Sequence, residues 1–453
     1  MIRMARARFG GMGLAIGSAL GLIASPVAAQ VLVAQDPLDE YEPRVSVPPV
    51  FEQNEVVQDD PREPAIQSWS VDNAATLATV IEGIGSEGLD PADYQLRDLR
   101  EAIALGAGPA LDEQASRAFT WLVEDLRDGR TPMSSRRQWF VVDPDVDLMP
   151  TAQLMTEVLA TGDIASIVEQ LTPVHEDYAT LRQALAETPA ADVETTRMIR
   201  ANMDRWRWLP RDLGTQYLLT NVPEYQLRLM VNGQIIRTYR TVVGKPGRTA
   251  TPQLAETVEG VIFNPTWTVP QSIVVGEGLG NRVLNNPSWA RANGYRATRG
   301  ADGFTTVVQQ PGPGNSLGMM KLDMPNPHAI FLHDTPAKAL FDSDDRARSH
   351  GCIRVERALE LAMTVAILGG GATRDEAVQV SRSGEYTRVP VERTLPVYIT
   401  YFTYGVDVDG NLREFDDIYG RDEPVLASLD APRVGNRAHF STEEVVPIER
   451  PGA

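Results

Sequence analysis

Leu77, Val80, Ile81 and Ile84 recur at intervals of three and four residues. Phe119, Leu122, Val123 and Leu126 repeat the pattern, as do Tyr178, Leu181 and Leu185. This spacing stacks apolar side chains on one face of a helix, so residues 67–192 read as a helical domain. Gly129, after "EDLRD", is a stop signal. His175 reads as a surface or capping residue. The stretch "ETTRMIRANMDRWRWLP" puts Ile199, Met203 and Trp206 on one face and ends at Pro210. The period then changes to two. Tyr225, Leu227, Leu229 and Val231 alternate, Asn232-Gly233 supplies a tight turn, and "QIIRTYRTVVG" returns, which predicts a hairpin. "GVIFNPTWTVP", "FTTVVQQP", "HAIFLH" and "LPVYITYFTYGVDVDGN" add short strands, the last with an Asp409-Gly410 turn. One helix is predicted at about 356–368. The fold class is therefore α+β: a helical domain over 67–192, then a mostly-β domain over 193–425. Between Pro270 and Gly318 the pattern fades into a polar, Gly-rich insertion, which reads as a lid or binding loop.

The ends of the chain read differently. Arg3, Arg6 and Arg8 precede the apolar run "GGMGLAIGSALGLIAS", and "PVAAQ" offers small residues for cleavage near Ala29. This is the layout of a secretory signal over residues 1–29, too short for a comfortable membrane span. From Asp36 to Pro64 there are nine acidic residues, two arginines and six prolines. That mixture buries too little apolar surface to fold alone, so 30–66 reads as a linker. Residues 426–453 read as a flexible tail.

With 43% hydrophobic residues the chain can build real cores, while its formal net charge of -19 argues against a nucleic-acid partner. There is one cysteine, Cys352. Exported chains usually pair their cysteines, so a lone one is either a small buried hydrophobe or a reactive thiol. With five histidines in all, no closed zinc site and no cofactor is expected.

Cys352 lies in "ARSHGCIRVE", between a turn and the predicted helix. The positive end of that helix would favour thiolate, and the N–H groups of Gly351 and Cys352 could hold a developing oxyanion. His333, at the end of "HAIFLH", is the candidate base, with His350 as its competitor. For each histidine the plain alternative is a satisfied polar residue.

The string "HDTP…SHGCIRV" resembles the signature of the YkuD-type L,D-transpeptidase catalytic domain. His333 is followed by fifteen residues and then by Ser349-His350-Gly351-Cys352. "FNPTWTVP", "QQPGPGNSLGMMKLDMPNPHAIFLHDTP", "DDIYGRD" and "LVEDLRDGR" resemble the large periplasmic, YcbB-like subgroup. The chain departs from many relatives in leaving no room for a peptidoglycan-binding module between its helical and catalytic regions. Smaller members often carry Asn where this chain has Arg354.

The resemblance implies a periplasmic enzyme of a Gram-negative bacterium, a carbapenem target acting in cell-wall organisation and cell shape. Cys352 would attack a donor tetrapeptide stem of peptidoglycan, release D-Ala and hold a thioester. An acceptor amine would then close the cross-link. His333 would handle the proton, and Ser349, His350 and Gly351 would support the turn or oxyanion. Asp334 or a nearby carbonyl would orient His333. Arg354 would meet a stem carboxylate or form a surface salt bridge. Trp267 would line the cleft or pack in a core, and Lys245 and Arg248 would sit in a turn near substrate. Stem peptides are the expected partners, along with other cell-wall enzymes, and no stable transmembrane anchor is expected. The alternatives are an L,D-carboxypeptidase, a papain-like peptidoglycan hydrolase and a non-catalytic wall-binding scaffold. In papain-like enzymes the Cys usually precedes the His, the reverse of the order here.

Overall fold

The computed structural model describes residues 65–141, 148–301, 303–433, 435, 441 and 443. The signal segment at 1–29 and nearly all of the 30–66 linker lie outside the described residues. Among those described, no helix is long and apolar enough to cross a membrane.

Among the described residues, seven helices build the N-terminal part: α1 (Val71–Gly83), α2 (Leu96–Leu105), α3 (Pro109–Asp128), α4 (Thr151–Thr161), α5 (Ile164–Leu171), α6 (Glu176–Glu187) and α7 (Val193–Trp206). The apolar stripes face one another as the spacing requires. Leu77, Ile81, Ile84, Phe119, Leu122, Val123 and Leu126 are all buried in one cluster. His175 caps α6, its Nδ1 accepting from the Asp177 N–H at 3.1 Å. Gly129 ends α3 at φ 86, where an added Cβ would stand 2.5 Å from the Trp208 ring. A short turn leads from α6 into α7, as expected of a chain without an intervening module.

The β part is one nine-stranded sheet: β1 (Gln216–Asn221), β2 (Gln226–Val231), β3 (Gln234–Gly244), β4 (Leu254–Phe263), β8 (Met320–Asp323), β9 (Leu332–His333), β10 (Ala347–Ser349), β11 (Ile353–Val355) and β12 (Thr387–Thr400). Its order is β10-β3-β11-β9-β8-β4-β12-β1-β2, and β2 also pairs with β3, so the sheet closes on itself. That last pairing is the predicted hairpin. Asn232 at φ 50 and Gly233 at φ 74 give its two-residue turn the left-handed backbone it needs. Helix α11 (Ala358–Leu368) lays Leu361, Ala362, Val365 and Ala366 into the sheet's core. Helix α12 (Arg374–Ser383), opened by a Thr373/Glu376 capping box, was not anticipated.

The insertion is not a featureless loop. It holds β5 (Trp267–Thr268), α8 (Gln271–Gly276), α9 (Leu279–Asn285), α10 (Pro287–Ala292), β6 (Tyr295–Arg299) and β7 (Thr305–Gln309), the strands pairing as β5-β7-β6. Its elements are too short to show periodicity, yet Trp267, Val269, Ile273, Leu279, Val283 and Val307 share a core of their own. The strands β13 (Tyr404–Val406) and β14 (Leu412–Glu414) flank the Asp409-Gly410 turn. Helix α13 (Asp422–Asp430) and the buried Arg433 carry ordered structure past residue 426, where a tail was expected.

A third cluster joins the two parts. Trp139, Tyr178, Leu181, Trp206 and Trp208 bury against Tyr217, Leu219, Met230, Tyr398 and Phe402.

Candidate active site

Cys352 sits where β10 turns into β11, half-buried. The turn is held from inside and from beneath. The Ser349 hydroxyl donates to the Cys352 carbonyl at 2.5 Å and accepts from the Gly351 N–H at 3.2 Å. Gly351 has φ 114, a conformation that L side chains rarely adopt. Beneath, the Thr251 hydroxyl donates to the Gly351 carbonyl at 2.8 Å and accepts from the Gly244 N–H at 2.9 Å. The Tyr419 hydroxyl donates to the Gly244 carbonyl at 2.6 Å, and Arg421 donates to the Thr251 carbonyl.

This geometry corrects two expectations. Cys352 stands in the bend just before β11, and α11 begins only at Ala358, so the thiol does not sit at that helix's N-terminus. The break comes from "IRV", whose β-branched ends extend the chain before the helix can start. The Gly351 N–H is already committed to Ser349 Oγ, which removes it from the oxyanion donors.

His333 lies on β9 between β8 and β11. Lys321 is its partner on β8 and Arg354 its partner on β11. Leu332 and Ile353 face the core, so alternation turns His333 and Arg354, with Cys352 beside them, to the opposite face. The imidazole is oriented by a carbonyl: Nδ1–H donates to the Asp334 backbone oxygen at 2.5 Å, leaving Nε2 for proton transfer. The Asp334 carboxylate has another task. It accepts the Met319 N–H at 2.9 Å and pairs with Lys338. Gly318 makes room for it, since a Cβ there would stand 2.4 Å from the carboxyl carbon.

Burial pushes the His333 imidazole down to about 3, with Arg354 the next cause. Burial pushes the Cys352 thiol up, while a backbone N–H at Phe331 and the charges of Lys321 and Arg354 pull it back. The resting pair is thus neutral thiol and neutral imidazole. The thiol donates to the Ala329 carbonyl at 3.6 Å.

The remaining expected residues fall in different places. Arg354 is 2% exposed, which places it beneath the surface, level with His333 in the strand register. His350 is half-buried in the turn. Trp267 packs in the insertion's core. Lys245 reaches the turn through its backbone, its N–H donating to the Ser349 carbonyl at 2.9 Å. Arg248 sits in the exposed turn after β3. Sequence reading missed Thr251, Tyr419 and Lys321. The signals were there: Thr251 in "GRTATP" and Tyr419 in "DDIYGRD" stand in turns beside strand ends, and Lys321 interrupts an apolar strand.

Residues 215–399 match the family described as the L,D-transpeptidase catalytic domain, YkuD. The chain carries a YkuD-type L,D-transpeptidase domain. Residues 67–185 match the family described as the Scaffold domain. A Haemophilus influenzae protein named "Putative L,D-transpeptidase" is 29% identical over 251 residues, covering 52% of this chain and 50% of its own length. The chain thus matches about half the length of that curated relative. Among solved structures, an L,D-transpeptidase from Mycobacterium smegmatis is 13% identical over 41% of this chain and 58% of its own, with a TM-score of 0.21. L,D-transpeptidase 1 of Mycobacterium tuberculosis is 12% identical over 41% of this chain and 61% of its own, with a TM-score of 0.19. The L,D-transpeptidase domain holds both Cys352 and His333, and its matched span encloses the whole insertion.

Proposed function

We propose that this chain is a periplasmic L,D-transpeptidase that cross-links peptidoglycan stem peptides through a thioester on Cys352. The observation that carries the reading is the register of β9 on β11, which sets an oriented imidazole level with Arg354, two residues after the only thiol. Cys352 Sγ attacks the carbonyl of the third residue of a donor tetrapeptide as its proton passes to His333 Nε2. The carbon–nitrogen bond breaks, the proton goes to the departing D-Ala amine, and a thioester remains. An acceptor amine then attacks the thioester and passes a proton to His333, and the carbon–sulfur bond breaks as that proton is returned to sulfur. Water in place of the amine would make the same site an L,D-carboxypeptidase. The Cys352 N–H takes the oxyanion role alone or with an N–H brought by the bound state.

The test is muropeptide analysis after expression in cells lacking their own L,D-cross-links. New 3→3 cross-links are expected with the wild type and none with Cys352→Ala. A carbapenem should add one drug mass to the wild type and none to Cys352→Ala. Cross-links made equally by both proteins would overturn the reading.

A further inference from the structure

The Lys321 ammonium is half-buried and stands 3.8 Å above the Phe331 ring. Among the described residues no carboxylate lies within ion-pair distance of it. Asp323, two positions on, pairs with Arg388 at 2.6 Å and acts on Lys321 only from beyond ion-pair distance. A cation withdrawn from water costs free energy unless something compensates it, and the ring face supplies only part of that. Three N–H donors remain for another acceptor.

The position of this cation is specific. Across β8, β9 and β11 the register runs Lys321, His333, Arg354 in one row, on the face that also carries Cys352. A flexible ammonium flanks the imidazole on one side and a planar guanidinium, suited to a carboxylate, on the other. Both charges act on the sulfur, Lys321 more strongly than Arg354. The segment before β9 meets both groups, with the Ala329 carbonyl on the thiol and the Phe331 ring under the ammonium.

We propose that Lys321 and Arg354, standing on either side of His333, form a seat for a carboxylate of the donor peptide. For the stem peptide this rests on the transpeptidase reading. The seat has two consequences. It draws an anionic substrate to the nucleophile, and it fixes which carbonyl faces sulfur.

The single thiol allows a test that needs no peptide. Alkylation of Cys352 is followed with neutral iodoacetamide and anionic iodoacetate on the full chain. The iodoacetate-to-iodoacetamide rate ratio should fall about tenfold in Lys321→Met, the loss expected of one charged contact. Lys321→Arg should keep the wild-type ratio. A ratio unchanged in Lys321→Met, in a variant whose unfolding midpoint matches the wild type, overturns the seat. So does an equal fall in both variants. Three donor tetrapeptides then locate the carboxylate: the free acid, the C-terminal amide, and the form amidated on the third residue's side chain. The amidation that lowers kcat/KM in the wild type but not in Lys321→Met marks the carboxylate held. Equal sensitivity of the two proteins to both amidations overturns the proposal for the donor. A wild type that turns over no peptide overturns the transpeptidase reading alone, since the alkylation ratio still decides the seat.

Discussion

At His333 the direction of the pKa shift sets the pH behaviour. An ordinary imidazole becomes charged as pH falls through about 6.5. His333, pushed down to about 3, stays neutral and able to accept a proton far below that. The rate of Cys352 acylation by a carbapenem should therefore stay flat from pH 8 down to pH 5. An acid limb centred near 6.5 in stopped-flow fluorescence would contradict this. The turn under Cys352 makes a second claim. Thr251→Val removes the donor to the Gly351 carbonyl and the acceptor of the Gly244 N–H, both buried. We expect a loss of about 1–3 kcal/mol in urea unfolding. Acylation should slow by at least as much as the misplaced sulfur demands, about tenfold or more. The string "SHGC" points to Cys352 as the proposed nucleophile, but it is silent on Thr251. That residue is a hundred positions away in the chain, and its role exists only once β3 and β10 pair.

Among the elements, the insertion decides how far periodicity can be trusted. Long helices and the β2–β3 hairpin were legible because apolar positions repeated over several turns or met an Asn-Gly turn. The insertion was not, because helices of six or seven residues make fewer than two turns, too few for the pattern to recur. Its order is tied down at the neck. Asn315 donates to the carbonyls of Pro265, Gln309 and Gln310, and the Ser316 N–H donates to Gln309 Oε1. We propose that this folded unit covers the donor site and favours an amine over water at the thioester. Replacing residues 271–309 with a short Gly-Ser loop should raise the ratio of hydrolysed to cross-linked product in a muropeptide assay. An unchanged ratio would remove the lid role. Trp267 then acts through packing. Trp267→Ala should cost about 3–5 kcal/mol of local stability, seen as faster hydrogen exchange across β5 and β7.

For the whole molecule, the joint between the helical part and the sheet matters most. The chain past α13 returns to the helical part, where Arg433 is buried against Asp125 at 3.0 Å and Glu124 at 2.7 Å. Asp125 also accepts from the Tyr94 hydroxyl at 3.1 Å. Arg433→Ala leaves a buried carboxylate short of a partner, so equilibrium unfolding should show a loss of about 3–5 kcal/mol. Arg433→Lys should recover part of it. A near-neutral Arg433→Ala would mean that the closing segment does not hold the joint. The sequence hid this contact: residues 426–453 read as a tail, and Arg433 within them is what anchors the described segment.

The pairing of β1 with β12 ties residues near 220 to residues near 400. Such distant partners make ring formation slow, because the intervening chain must be gathered before the pairing rewards it. Until Thr387–Thr400 docks, β1 and β4 both present bare strand edges to other chains. Fragments that stop short of residue 400 should therefore aggregate, whereas in the finished ring β12 covers both of those edges.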